Sequence, residues 1–260
     1  MRFINLFLRS TQLSMHRELA YRVNFVLKLL GIITLEIFKP IFIVIMYSVS
    51  LGLPGWDLYE LILFSAIFSL VTGLGATLFY GVAYRTIGAV EGGTFDNILL
   101  KPYGTLTFLL ARSVSIGNLG TIIAGLGVFI FALSKVTTPS PINFVFFLVV
   151  LGLGLLFILS FIIFVSAFSL HFVHSETLID LFSISKRFGL YPITIYGTLG
   201  TFVFTFIVPF GLAAHYPIQA LFGSLSIILF SKLVLVAASF FTVAYIFWRF
   251  SITKYTSAGG

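Results

Sequence analysis

Long apolar runs alternate with short polar stretches along this chain. A helix that crosses a bilayer needs about 20 mostly apolar residues. Six runs reach or approach that length, at 24–51, 58–84, 106–133, 142–170, 193–208 and 225–248. The pattern predicts an all-α membrane protein, with six transmembrane helices that form one domain over residues 1–260.

The N-terminal segment, residues 1–22, interleaves apolar and basic positions instead. Phe3 and Phe7 fall on one side of a predicted helix, with Arg9 and Arg17 among the polar positions. Basic amphipathic helices lie in the membrane interface. We therefore expect an amphipathic helix that lies along the membrane surface before the first span.

The segment after the fifth run, residues 209–224, is apolar but contains two prolines, Pro209 and Pro217. Proline interrupts a helix, and the segment is too short for another pair of spans. Irregular backbone at membrane depth is tolerated only where it packs against protein or lines a water-filled cavity. We expect a broken, re-entrant segment that enters the membrane from outside.

Composition places the chain firmly among membrane proteins. It is 59% hydrophobic and 9% charged, whereas soluble domains average about 45–50% apolar and about 25% charged. The net charge of +7 would suit a nucleic-acid partner, but the basic residues cluster at the ends of apolar runs, and we predict none. Without cysteine, the chain has no disulfides, thiolate metal sites or cysteine nucleophiles.

The distribution of lysine and arginine predicts the orientation. Most of the 15 basic residues fall in four segments, at 2–28, 85–112, 186–187 and 249–254. These segments lie on one side of the predicted membrane, and such an excess marks the cytoplasmic side. We expect a multi-pass protein of the plasma membrane with both termini in the cytoplasm.

Motifs for nucleotide binding and hydrolysis are absent from the sequence. It contains no Gly-x-x-x-x-Gly-Lys-[Ser/Thr], no Gly-x-Ser-x-Gly and no His-Glu-x-x-His. His171, His174, Glu176 and Asp180 fit either a metal site in a membrane-embedded enzyme or a solvated helix start at the membrane surface. We predict no metal and no enzymatic activity on this chain, with the enzyme as an alternative.

Two opposite charges, Glu36 and Lys39, interrupt the first apolar run. Their spacing places them on one helix face, close enough to pair. Charges within a bilayer are costly and usually face protein or water. The pair is either a substrate or gating contact or a neutralised pair near the interface. The first interpretation would also suit a secondary transporter or channel that uses these two residues.

Four segments, taken in order, resemble the ABC-2 type permeases, specifically their six-span export group. The resemblance covers most of the chain from about Tyr21. The matching residues are Gly93, Asp96, Leu99, Leu100, Lys101 and Pro102 after the second run, Tyr191-Pro192 in "LYPITIYG", Pro209 and Tyr216-Pro217 in "FIVPFGLAAHYPIQALF", and the tail "KYTSAG" at 254–259.

The resemblance implies that the chain forms half of the pore of an ATP-driven exporter. In such transporters a second permease chain, identical or homologous, completes the pore. Separate ABC ATPase subunits bind ATP and Mg, so this chain needs no cofactor of its own. The broken segment would cap the translocation path, which makes Pro209, Tyr216 and Pro217 candidates for translocation or gating, beside Glu36 and Lys39. The apolar spans favour an amphipathic or hydrophobic cargo.

The resemblance also implies that the loop between the second and third spans carries a coupling helix that docks on the ATPase. The N-terminal amphipathic helix would support that contact. The residue types of the loop fit this role, because apolar residues at helical spacing would form an exposed knob with charges at its rim, and Pro102 would end the helix. The alternative is an ordinary solvated loop. The candidate coupling residues are Arg85, Glu91, Gly93, Phe95, Asp96, Ile98, Leu99, Lys101 and Pro102.

Overall fold

The structure is a computed structural model that describes residues 2–49, 52–172 and 186–256, together with 177 and 180. Its regular elements are helices. In chain order they are α1 (Arg2–Ala20), α2 (Arg22–Val49), α3 (Leu58–Leu78), α4 (Tyr80–Glu91), α5 (Asp96–Leu99), α6 (Thr105–Arg112), α7 (Leu119–Leu133), α8 (Pro141–Ser169), α9 (Gly197–Phe202), α10 (His215–Leu221) and α11 (Ile227–Lys254).

Five helical stretches among the described residues are long and apolar enough to cross a membrane. They are α2, α3 continued by α4, Ile116–Leu133, α8 and α11. The prediction of an all-α, multi-span membrane protein is confirmed at this level. The fifth predicted span corresponds to a shorter apolar helical stretch, Ile193–Ile207, which combines 3-10, α and π turns. A sixth crossing stays a prediction.

Polar side chains define where several long helices begin. Asp57 caps α3 in a capping box, in which Glu60 accepts a hydrogen bond from the Asp57 backbone N–H. Ser140 caps α8, whose first residue is Pro141, and Ser226 caps α11. These side chains accept hydrogen bonds from N–H groups that have no partner within the helix. The short connections between spans are therefore fixed by local sequence.

The helices surround α3, which is buried over most of its length. α7 and α8 pack directly against it, and α11 packs against α8. In contrast, no residue of α2 is buried, although α2 contacts α3 and α7. α2 therefore lies at the periphery of the single chain, where apolar side chains such as Leu35 and Phe42 are exposed.

The third predicted span, 106–133, is wrong as one continuous helix. α6 ends at Arg112, and a 3-10 turn at Ile116–Asn118 leads into α7. The break between α6 and α7 packs against the junction between α3 and α4. There the Ser115 N–H donates to the Thr77 carbonyl at 2.9 Å. The Ser113 hydroxyl donates to the Leu78 carbonyl. The two interrupted helices thus satisfy each other's backbone groups.

The segment between residues 209 and 224 is broken into a 3-10 helix, Phe210–Ala213, and α10. Almost all of it is buried, and it packs against α8. Gly154 of α8 lies against the carbonyl oxygen of Leu212 so closely that a side chain would collide with it. The irregular backbone is thus enclosed by protein, as it must be at membrane depth. Its re-entrant placement stays a prediction.

Replacement of Gly154 with alanine is expected to lower thermal stability. The added methyl group would collide with the Leu212 carbonyl oxygen, a backbone atom that cannot move without shifting the broken segment. Overpacking of this kind costs about 1–3 kcal/mol. The matched control is Gly152→Ala in the same helix, where an added methyl has no atom within 4 Å. Melting temperatures of the purified variants in detergent test this, and equal values for both variants would contradict it.

Candidate translocation cavity and coupling segment

A cavity of about 870 Å³ lies between α1, α2, the α3–α4 helix and the break in the third span. Its wall on the α3–α4 helix extends from Phe68 to Arg85. At 1.5 Å per residue this corresponds to about 25 Å, which approaches the roughly 30 Å thickness of a bilayer core. The cavity is therefore elongated along the direction of the long helices.

Glu36 and Lys39 form an ion pair on the cavity wall. The Lys39 Nζ lies 2.6 Å from Glu36 Oε2. The Ser69 hydroxyl of α3 donates to the same carboxylate oxygen at 2.5 Å and accepts from Lys39 Nζ at 3.1 Å. The Lys39 Nζ also lies 6.0 Å from the centroid of the Phe68 ring. Sequence reasoning did not find Ser69, since its hydroxyl becomes relevant only when α2 packs on α3.

Other charged residues line the same cavity. They are Arg17 and Glu18 of α1, Arg85 of α4, and Arg187 of the 3-10 helix Lys186–Leu190. The lining of this cavity thus differs from the apolar spans that favoured a hydrophobic cargo. Of the charged residues in the long helices, Glu36, Lys39 and Arg85 line this space. Charges within a bilayer usually face protein or water in this way.

Arg85 therefore occupies a different place from the one predicted. It lies within α4, half-buried on the cavity wall, and not on the exposed surface of the coupling loop. Arg17 and Arg187 were not singled out by sequence reasoning. No local motif marks them, because they come from segments far apart in the chain and meet only through the fold.

The segment predicted to carry the coupling helix contains a short helix, α5. Gly93 turns the chain after α4 with a φ of +63°, a backbone conformation that favours glycine. The Thr94 N–H then donates to the Ala89 carbonyl at 2.7 Å. Glu91 and Lys101 are exposed, as is Pro102. Asp96 begins α5 and is half-buried.

The predicted exposed group of apolar residues, Phe95, Ile98 and Leu99, differs in the structure, above all at Phe95. Phe95 is not exposed but fully buried, and its ring packs edge-to-face on Tyr255 at 5.0 Å between centroids. Ile98 and Leu99 are half-buried against the same core. Leu100 is the apolar side chain that faces outward, with 80% of its surface exposed. The end of α11 covers Phe95, and sequence spacing alone could not show that contact.

Pro209, Tyr216 and Pro217 are buried in the broken segment and do not line the cavity that contains Glu36 and Lys39. The Tyr216 hydroxyl contacts that of Thr205. The structure thus does not bring the five candidate gating residues together. The ring of His215 lies 5.9 Å from Trp56, which places this segment beside the loop between α2 and α3.

The residues of the enzyme alternative lie only partly in the described structure. His171 is 3.0 Å from the Ser251 hydroxyl, which ties the end of α8 to α11. His174 and Glu176 fall outside the described residues, and Asp180 is exposed. Within the described ranges, no group of three or more histidine, aspartate or glutamate side chains could hold a metal ion.

Loss of the Lys39 charge is expected to destabilise the fold. Lys39→Met would leave the Glu36 carboxylate, only 13% exposed, without its counter-charge. An unsatisfied buried group costs about 1–3 kcal/mol, and more when charged. Adding Glu36→Gln should recover most of the loss, because a neutral amide needs no counter-charge. Melting temperatures of the two single variants and the double variant test this, and additive losses in the double variant would contradict it.

Comparison with protein-family models matches residues 30–259 to a family described as ABC-2 family transporter protein. No curated protein and no solved structure matches the chain. The matched range begins within α2, contains every later helix, and includes the cavity wall from Ile32 onward as well as the coupling segment. Because it spans most of the chain, the chain belongs to the ABC-2 family of transporter membrane proteins.

Proposed function

We propose that this chain is the membrane subunit of an ATP-driven exporter in the plasma membrane. It crosses the membrane six times, with both termini in the cytoplasm. A second permease chain, identical or homologous, completes the translocation path, and separate ABC ATPase subunits bind ATP and Mg. Family membership supports this role, and so does the absence of any nucleotide-binding motif in the sequence.

The observation that carries the proposal is that the segment after α4 has an exposed outer face and a buried, anchored inner face. Its exposed face offers Leu100, Lys101 and Pro102 to a partner. Its inner face is fixed by Phe95, which packs on Tyr255 just after α11. An exposed apolar side chain beside a positive charge, on a rigidly anchored turn, suits a docking contact for a cytoplasmic ATPase.

The segment after α4 is connected to the membrane helices at two points, through which a movement of the segment would be transmitted. Through Phe95 it contacts α11, the last long helix. Through the turn at Gly93 it joins α4, which continues α3 and carries Arg85 on the cavity wall. A displacement of the segment would therefore move one wall of the cavity and the last span together. α1 packs against α6, the helix that follows, and so supports the segment from the other side.

Changes to the exposed face should uncouple the ATPase. The double variant Leu100→Ala with Lys101→Glu removes the apolar contact and reverses the neighbouring charge. In proteoliposomes with the ABC ATPase that co-purifies with the chain, we expect transport-coupled ATP hydrolysis to fall about tenfold, since loss of an interface contact of about 1–2 kcal/mol is typical. The fold should be intact, because neither side chain belongs to the core.

The matched control is Leu199→Ala, which removes a side chain of similar exposure, 77%, outside the coupling segment. It should leave coupling unchanged. A third variant, Phe95→Ala, should also lower coupling, through loss of the contact with Tyr255. Wild-type ATPase stimulation in the Leu100/Lys101 variant would refute docking at this segment.

A second candidate function rests on the charged cluster of Glu36, Lys39 and Ser69. A paired acid and base on a cavity wall is the kind of site that secondary transporters and channels use. In that case transport by the purified chain would persist without ATP and collapse when the ion gradient is dissipated. Transport that requires ATP and the ATPase subunit would exclude this function and support the exporter.

A further inference from the structure

We propose that the cavity between α1, α2 and α4 binds the anionic group of a ligand, a phosphate or a carboxylate, through Arg17, Arg85 and Arg187. The proposal concerns the ligand of the cavity, and it holds whether transport is driven by ATP or by an ion gradient. It follows from the placement of charges in the cavity, from its shape, and from its other polar groups.

One of the two carboxylates that line the cavity is paired with a cation, and the other lies near a lysine. Glu36 is paired with Lys39 at 2.6 Å. Glu18 lies near Lys28, since the Glu18 Oε1 and the Lys28 Nζ are 3.2 Å and 2.5 Å from the position that a Cβ on Gly117 would take. With Glu36 paired to Lys39, the cavity wall still has three arginines and one carboxylate, Glu18, so positive charge is in excess.

Arg17, Arg85 and Arg187 differ from Lys39 in this respect. Among the described residues, none of them forms a salt bridge. Arg85 is half-buried, and the charges of Arg112 and Arg17 both repel its guanidinium. The Arg112 guanidinium lies over the ring of Phe108, one turn earlier in α6, at 5.4 Å from the ring centroid. A half-buried arginine beside like charges is unfavourable unless an opposite charge joins it. Arg17 and Arg187 are exposed, so this cost falls on Arg85.

The shape of the cavity suits a ligand larger than a simple ion. Its volume of about 870 Å³ lies within the range of small-molecule sites. Ser14, Ser115 and Asn118 line it as well, and their side chains can donate hydrogen bonds. Guanidinium groups form paired hydrogen bonds with the oxygens of a phosphate or carboxylate. A neutral ligand would leave the arginines uncompensated, and a cation would add to their repulsion.

Two sources could supply the anionic group. One is the headgroup of an anionic lipid, since basic pockets between transmembrane helices on the cytoplasmic side bind such headgroups. The other is a free phosphate-bearing molecule that enters from water. Both present the same oxygens to the arginines, so the experiment must separate them.

Binding is measured on the full-length purified protein. Native mass spectrometry compares phosphatidylglycerol with phosphatidylcholine of identical acyl chains, and a separate titration uses glycerol 3-phosphate. We expect preferential binding of phosphatidylglycerol, or binding of glycerol 3-phosphate, and in either case weaker binding at high salt. Phosphatidylglycerol alone identifies a lipid headgroup, whereas glycerol 3-phosphate identifies a free anion. Equal binding of the two lipids without binding of glycerol 3-phosphate would overturn the proposal.

Variants locate the site. Arg85→Gln and Arg187→Gln should each weaken binding of the anionic probe about tenfold, the effect of one lost charge-assisted hydrogen bond. Arg187 is exposed, so its variant serves as the test if Arg85→Gln fails to fold. The matched control is Arg249→Gln, which removes an exposed arginine at the end of α11, away from the cavity, and should bind as wild type. Equal affinity in Arg187→Gln and wild type would overturn the assignment.

A variant that fills the cavity tests whether the anion binds inside it or on the surrounding protein surface. Ala76 lines the cavity between Phe68 and Arg85 and carries no charge. Ala76→Phe should reduce binding of the anionic probe by occupying the space while every arginine remains. Unchanged binding in this variant would place the anion outside the cavity and overturn the proposal.

Discussion

Backbone polar groups at membrane depth must find partners within the protein, and this constraint shapes the centre of the molecule. The α3–α4 helix is interrupted at Phe79, and the third span is interrupted after Arg112. Each break would expose unpaired carbonyls in lipid, at a cost of several kcal/mol per group. The breaks lie against each other, so that residues 113–118 donate hydrogen bonds to the carbonyls of Ala76, Thr77 and Leu78.

The same arrangement creates the cavity. A continuous third helix would present a regular side-chain surface to α3 and close the gap between them. The turn at residues 113–118 instead places short polar side chains, including Ser113 and Asn118, beside α2 and α4. Gly81 permits this approach, because any side chain there would collide with the Ser113 backbone. The polar cavity is therefore a consequence of how two broken helices satisfy each other.

The sequence predicted the features that depend on local periodicity. Apolar runs located the long helices, the spacing of Glu36 and Lys39 predicted that they share a face, and the prolines at 209 and 217 marked a segment that is indeed broken. The break at residues 113–115 carries no proline, and its only mark in the sequence is a short polar stretch that the long apolar run obscures.

Features that depend on contacts between distant segments escaped prediction. Phe95 and Leu100 are equally apolar and lie in one short segment, yet one is buried and the other exposed. The difference arises from Tyr255, at the opposite end of the chain. In the same way, Arg17, Arg85 and Arg187 become a group only when α1, α4 and a 3-10 helix surround one space. Their charges were visible in the sequence, but their placement on the wall of one cavity was not.

The proposed anion site and the proposed coupling segment share one element, α4. It carries Arg85 near its middle and ends at Glu91, just before the turn that leads into Phe95. A ligand bound to Arg85 restrains α4, the helix that precedes the proposed ATPase contact. A displacement of that contact by the ATPase would in turn move Arg85. Thermodynamic linkage makes such coupling reciprocal: if docking changes the affinity for the anion, the anion changes the affinity for the ATPase by the same factor. Transport then requires the arginines to hold their ligand differently in the two states of the cavity, and a shift of α4 relative to Arg17 on α1 would alter the arginine cluster in this way.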